Sequence, residues 1–331
     1  MFHQLTIMDI RIMHANLATR LADPSRGVYF VGTTPPRAEV AEMDMQVIAD
    51  KLLDRLIAID YDGLVVYDIQ DESSRTQTPR PFPFKATYDS LTYSKVLSDK
   101  SGLPTITYKS VSARSKNEFN QWLEQAWVEY GIQNIVLVGS PSSSGTINLP
   151  LKEAYQTLAE HQRSFNLGGV TIAERHHKKG DEHIRLKQKS VDGCNFFISQ
   201  AVYNADATID LLQQYSALCK KNAEKPKRII LTFTPCGSEK TLDFMHWLGI
   251  STPSAVKTRI LNAQDSLAES ITVCEENLQQ ILNYCMDLDI PLGLNIESLT
   301  NRKEEIDASI KLFKLLKATL DLNLAKKFLS Q

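Results

Sequence analysis

Short apolar, β-branched runs recur along the chain, each followed by a polar turn and then a stretch whose apolar residues fall three and four positions apart. Runs of the first kind suit parallel strands buried on both faces, and stretches of the second suit helices that cover such a sheet. The first strand is predicted at Gly27 to Gly32, and its helix carries Val40, Met43, Val47, Ile48, Leu52 and Leu56 as the buried face. Gly63 to Asp68 reads as the second strand, and the Pro-rich loop Thr78 to Pro83 leads to a helix ending near Lys100. The third strand runs from Pro104 to Lys109, and the helix Asn117 to Tyr130 is stopped by Gly131. Asn134 to Gly139 is the fourth strand, and the Ser-rich loop after it, Ser140 to Gly145, is the most flexible stretch by composition.

The alternation continues with strands at Leu167 to Ala173, Phe196 to Val202 and Arg228 to Thr234. Helices follow these strands at Glu182 to Val191, Asp206 to Cys219 and Thr241 to Leu248. An additional helical segment, Ser254 to Leu288, precedes strand eight at Pro291 to Glu297, and Arg302 to Leu320 is the closing helix. Eight such units without a polar linker between halves predict an α/β fold, a (β/α)8 TIM barrel, over a doubly wound open sheet. The 331 residues are read as a single domain, with a barrel core at 27–325 and an N-terminal extension at 1–26.

A net charge of −2 with dispersed basic residues lacks the electrostatic footprint of a nucleic-acid binder, which leaves a small molecule as the expected partner. Met1 to His14 has no signal-peptide apolar core and no later run is long enough to span a bilayer, so a cytoplasmic protein without a membrane partner is expected. Homo-oligomerisation stays open. The five cysteines form no C-x-x-C pair, and reduced thiols are expected.

Barrel chemistry sits at the C-terminal strand ends, because the interior is packed and only that loop face is open. Glu174-Arg175-His176-His177 is the densest ionisable cluster there, able to exchange protons near neutral pH or, alternatively, to form a solvated loop. Its spacing fits no H-E-x-x-H helix, so no metal is expected. Gln200 offers an amide to a planar heterocycle or to backbone. Glu297 reads equally as a base or as half of an ion pair, Asp68 is a further strand-end carboxylate, and Tyr67 and Tyr108 suit either ring stacking or rim packing.

Three segments carry a family resemblance. Glu174-Arg175-His176-His177, Leu186-Lys187-Gln188-Lys189 through Asn195, and Phe197-Ile198-Ser199-Gln200 follow one another in the order and spacing of the central part of methylenetetrahydrofolate reductases. Thr34-Pro35-Pro36-Arg37 is similar to that family's Pro-Pro turn, and Val138-Gly139-Ser140 falls where it has Arg-Gly-Asp. The resemblance implies a barrel that binds FAD and, alternately, NAD(P)H and methylenetetrahydrofolate, an oxidoreductase of one-carbon metabolism supplying methionine biosynthesis. It makes Gln200 a pterin contact and assigns Gly139, Ser140, His176 and Lys189 to the cofactor side.

The chain departs from the pattern where the chemistry is. The family's catalytic glutamate, three residues before the Pro-Pro pair, is Gly32, and the Asp and Arg of its Arg-Gly-Asp turn are Ser140 and Val138. The expectation is therefore a divergent oxidoreductase in which Glu174, Glu297 or Asp68 supplies the missing acid, and in which a glutamate restored at position 32 raises activity. The alternatives are a non-redox folate-dependent methyl or one-carbon transferase, and a folate-binding protein that has lost reductase activity.

Overall fold

Eight parallel strands close into a barrel in sequence order: Tyr29–Thr33 (β1), Gly63–Val66 (β2), Thr105–Ser110 (β3), Asn134–Val138 (β4), Asn166–Thr171 (β5), Phe196–Ala201 (β6), Arg228–Phe233 (β7) and Leu292–Glu297 (β8). The computed structural model describes residues 7–73, 76–140 and 146–329, so most of the loop expected to be flexible, 141–145, lies outside the described residues. The helices before and between the first strands are Ile7–Ala22 (α1), Glu42–Leu56 (α2), Ser90–Ser101 (α3), Lys116–Val128 (α4) and Leu151–Ala159 (α5). Ala173–Lys179 (α6), Glu182–Val191 (α7), Ala205–Lys221 (α8) and Glu239–Trp247 (α9) follow. The predicted additional segment is Ser254–Asn262 (α10), Ser266–Cys285 (α11) and a 3-10 turn at Met286–Leu288, and Lys303–Leu329 (α12) closes the chain. None of the described helices is long and apolar enough to cross a membrane.

Strand alternation divides the apolar residues into two sets. Phe30, Val65, Ile106, Val136, Phe196 and Ile198 pack inside the barrel, while Leu64, Ile135, Phe197, Leu231 and Leu294 face the helices. Three sequence expectations change. The run Leu167 to Ala173 stops being strand at Thr171, and Glu174 to His177 lies not on a loop but on the short helix α6, which ends where Gly180 takes a φ of 68°. The buried face of α2 is Met45, Ala49 and Leu56, whereas Met43, Val47 and Ile48 are 82%, 46% and 38% exposed. In α2 Leu56 is buried and Leu52 packs against the core as expected, but the weakly hydrophobic Ala49 takes the middle of that face and Met43, Val47 and Ile48 are displaced around the helix.

The third change concerns the N-terminal extension, which contains α1. Leu17 and Leu21 of that helix are 1% and 3% exposed and pack with Val28, Phe30 and Ile230, so α1 plugs the N-terminal end of the barrel. Arg228, 1% exposed, anchors the chain that follows it by donating from Nε to the Leu21 carbonyl at 2.8 Å and from its guanidinium to the carbonyls of Asp23, Arg26 and Leu292. Burial pulls the Arg228 pKa down to about 10, so it stays charged at neutral pH. Asp62 ties the same segment to β2 through Arg20 at 3.0 Å, Arg26 at 3.2 Å and the Tyr29 amide at 2.9 Å.

A line of side-chain amides crosses this end of the barrel. Asn195 Nδ2 donates to Asn166 Oδ1 at 3.2 Å, Asn166 Nδ2 to Asn134 Oδ1 at 2.8 Å, and Asn134 Nδ2 lies 2.7 Å from His14 Nδ1. His14 thus accepts, and burial pushes its pKa down to about 3, which keeps the ring neutral.

Because unfolding returns His14 to an ordinary imidazole pKa, the unfolded chain takes up a proton that the folded chain refuses. The contribution is complete above pH 6.5 and is lost as pH falls toward about 3, at about 1.4 kcal/mol per pH unit for the single group. Denaturant unfolding at a series of pH values should show a flatter acid limb in His14→Gln than in the wild type; parallel limbs would contradict it.

Candidate functional site

The β1–β8 seam sets the C-terminal end of the barrel, because its register places Gly32 directly beside Glu297. A Cβ at position 32 would lie 3.0 Å from Glu297 Cβ, 3.1 Å from its Oε2 and 3.1 Å from the Tyr67 ring. Glu297 and Tyr67 thus crowd this position, and a side chain at 32 would need them to give by a few tenths of an ångström.

Tyr67, just beyond β2, meets Tyr108 of β3 edge to face, with ring centres 4.8 Å apart and planes at 65°. Asn295 stands two residues before Glu297 on the same inward face of β8. Its Nδ2 donates to the Tyr67 hydroxyl at 2.8 Å and to Thr232 Oγ1 of β7 at 3.2 Å. Glu297, Tyr67, Tyr108, Asn295 and Thr232 thus form one cluster, with Glu297 retaining partial contact with solvent. Burial pushes the Glu297 carboxyl up to about 7, against a hydrogen bond from Tyr67 that favours its charged form. The Tyr67 hydroxyl is driven well above its ordinary range by burial and then by the neighbouring Glu297 charge, and Tyr108 is raised for the same two reasons. The cluster can hold or release one proton near neutral pH at Glu297.

The remaining candidates are distributed elsewhere. Asp68 accepts from the Ser110 amide at 2.8 Å and from Gln70 Nε2 at 3.1 Å, with the buried Lys109 ammonium 3.8 Å away, so its carboxylate ties the end of β2 to β3. Gly139 backs onto α5, where an added Cβ would sit 3.3 Å from Leu151 Cβ, and Ser140 follows it. Glu174 is 7% exposed, accepts from the Ser251 amide at 3.4 Å, and is raised by burial.

Glu174 and Gln200 share a cavity with room for about one water molecule between the sheet and α8. Gln200 is re-aimed by an irregularity in the β6–β7 register between Ile198 and Ala201, a common device beside sites. Its Nε2 donates to the Leu248 carbonyl at 3.1 Å, and its Oε1, like the nearby Thr171 hydroxyl, has no hydrogen-bond partner.

His176 and Lys189 belong to the helix layer. His176 is 1% exposed, with Nε2 3.3 Å from Asp210 of α8 and its ring edge to face with His183. The Lys189 ammonium donates to the Val170 carbonyl, and its pKa is lowered by burial. Both are thus engaged with α8 and β5 and have no contact with the Glu297 cluster. No group of three or more His, Cys, Asp or Glu side chains able to hold a metal is present among the described residues.

The Pro-rich loop after β2 reaches across to α9, the helix after β7, and so joins the two strands that flank the β1–β8 pair. Trp247 Nε1 donates to the Thr78 carbonyl at 3.0 Å, and the Arg80 guanidinium lies 5.0 Å from the Trp247 ring centre and 5.3 Å from that of Phe244. Phe82 also packs edge to face on Phe244 at 5.3 Å. Sequence reasoning missed this docking, and it missed Asn295 and Thr232, although the two-residue spacing of Asn295 and Glu297 put both on one face of the strand.

No family model and no curated protein matches the chain. Among solved structures, an uncharacterized protein from Clostridium thermocellum that binds two copies of 5-methyl-5,6,7,8-tetrahydrofolic acid is 36% identical, with a TM-score of 0.79 over 92% of this chain and 99% of that one. The chain belongs to that protein's family. A 2,3-dimethylmalate lyase, 10% identical with a TM-score of 0.47 over 86% of this chain and 80% of its own, is a far looser match. So is the Xanthomonas albilineans dihydropteroate synthase, 11% identical with a TM-score of 0.42 over 90% of this chain and 94% of its own. The comparisons thus join the chain to a protein that binds a reduced folate.

A carboxyl raised by folding stabilises least when it must be charged. The Glu297 contribution is most favourable below about pH 4.5 and is lost as pH rises through about 7. Glu297→Gln should therefore be more stable to denaturant than the wild type at pH 8, by about 1–3 kcal/mol given the partial solvent contact, with the gap closing below pH 5. Equal stabilities at both pH values would show that Glu297 is an ordinary surface acid.

Proposed function

We propose that this protein binds a reduced folate of the 5-methyltetrahydrofolate kind at the C-terminal mouth of its barrel, and that Glu297 exchanges a proton with the pteridine ring. The observation that carries this reading is the carboxyl beside Gly32, titrating near neutrality at a strand end, in a family whose member from Clostridium thermocellum binds 5-methyltetrahydrofolic acid. A methyl group on a ring nitrogen leaves readily only when that nitrogen carries a proton, so an acid poised near neutral pH suits one-carbon transfer. Tyr67 and Tyr108 present aromatic edges beside that acid.

Of the three carboxylates considered for the acid, Glu297 is favoured. Asp68 is engaged with the Ser110 amide and Gln70, and Glu174 faces a cavity too small for a ring system. A methylenetetrahydrofolate reductase-like oxidoreductase using FAD and NAD(P)H is the less favoured reading, because His176 and Lys189 turn away from the mouth. Non-redox one-carbon transfer, or folate binding alone, needs no such wall.

Calorimetric titration with 5-methyltetrahydrofolate tests the proposal and also gives the number of folates bound per chain. Binding is expected to be tighter below pH 7 than above it in the wild type, and to lose that dependence in Glu297→Gln. No binding by the wild type would end the proposal, and a flavin spectrum in the purified protein would favour the oxidoreductase reading instead.

A further inference from the structure

We propose that Asn295 is a positioning residue that sets the direction of the proton between Tyr67 and Glu297, by presenting one end of its amide when Glu297 is charged and the other when Glu297 is protonated. This rests on the reading of Glu297 as the acid of a folate site.

The argument begins with donors and acceptors. The Tyr67 hydroxyl has one hydrogen, and its oxygen accepts from Asn295 Nδ2 at 2.8 Å. That hydrogen is left for Glu297, whose charged form it favours. The same Nδ2 donates to Thr232 Oγ1 at 3.2 Å, so one nitrogen holds two hydroxyls from either side of the β1–β8 pair. Asn295 is 0% exposed, and its Oδ1 has no partner. An orphan acceptor in a barrel interior is unfavourable and calls for a reason.

The amide has a second setting, which leaves Nδ2 in place of Oδ1 as the unpaired end. A half-turn about the last side-chain bond puts Oδ1 opposite the two hydroxyls, which must then both donate to it. Tyr67 can do so only by taking its hydrogen away from Glu297, and the contact between them survives only if Glu297 becomes the donor, that is, once it has gained a proton. Thr232 imposes no preference, since its hydroxyl gives or receives equally well. When Glu297 passes its proton to a pteridine ring nitrogen, the carboxylate recovers the Tyr67 hydrogen and the amide turns back. No bond other than O–H and N–H forms or breaks.

The titratable groups facing Glu297 are Tyr67 from β2 and Tyr108 from β3, both raised far above neutrality. No lysine, arginine or second carboxylate among the described residues contributes to the Glu297 shift. A proton equilibrium seen in this cluster near pH 7 therefore belongs to Glu297.

The test needs no folate. In the ligand-free wild type, the side-chain amide resonances of Asn295, assigned by their loss in Asn295→Leu, should move with pH at the midpoint of the Glu297 carboxyl band in difference infrared spectra, itself assigned by its loss in Glu297→Gln. In Tyr67→Phe the carboxyl midpoint should rise by about half a pH unit or more, because a hydrogen bond to the charged form is gone, and the Asn295 resonances should stop responding. Thr232→Val should shift the carboxyl midpoint in the wild-type background and not in Tyr67→Phe, since its effect runs through Asn295 and Tyr67. Amide resonances that stay fixed across the Glu297 titration, or that follow it equally without the Tyr67 hydroxyl, would overturn the proposal. Coupled titrations in a protein that binds no 5-methyltetrahydrofolate would leave this inference standing while ending the functional reading.

Discussion

A barrel closes only where its last strand meets its first, and here that seam forces a carboxylate-bearing residue against a residue with no side chain. Gly32 and Glu297 are register partners, and the space missing on one strand is occupied from the other. Much else at the C-terminal end depends on this trade. Tyr67 can lie over Gly32 because nothing projects from it, and Glu297, held among protein atoms, titrates near neutrality instead of in the usual carboxylate range. The neighbouring strands contribute hydroxyl and amide groups rather than a cation, so the carboxyl is raised by burial, opposed by the Tyr67 hydrogen bond, and not neutralised by an ion pair.

The contrast with Lys109 shows that this is a choice of environment. Lys109 points outward from β3, is 2% exposed, and meets Asp89 at 2.5 Å with Asp68 close by, under the ring of Trp122. Charge buried in the helix layer is paired, as it is again between Arg175 and Glu182 at 3.0 Å. Charge at the mouth of the barrel is left without an opposite partner, the arrangement expected where a group has to change its protonation state.

The strands were legible because parallel barrel strands are buried on both faces and so appear as unbroken apolar runs; each of the eight lies within two residues of its sequence reading. Helix α7, Glu182–Val191, was read to the residue, since its apolar spacing is regular and Gly193 follows closely. Helix α1 was not read, although His14, Leu17 and Leu21 recur three and four positions apart, because polar residues interrupt the surrounding pattern. The site was only partly legible. Tyr67, Tyr108 and Glu297 come together as strand-end residues should, whereas His176 and Lys189 are placed by helix packing, which local spacing does not reveal. Asn295 was invisible for a different reason: an asparagine inside a strand has no signature until its hydroxyl partners on other strands are known.

The amide line at the opposite end of the barrel settles a question of alignment. Asn134 and Asn166 each begin a strand, Asn195 directly precedes one, and the line ends on a ring nitrogen of His14 that can only receive. Asn134 and Asn166 are register partners on β4 and β5 and so stand at the same height on the same face, and side chains alternate between faces with every residue. Sliding β5 by a single position would turn Asn166 away from both neighbours and interrupt the line on either side. The line therefore works as a ruler, fixing the stagger of three consecutive strands at their starting points, and with it the height at which their far ends emerge around the mouth.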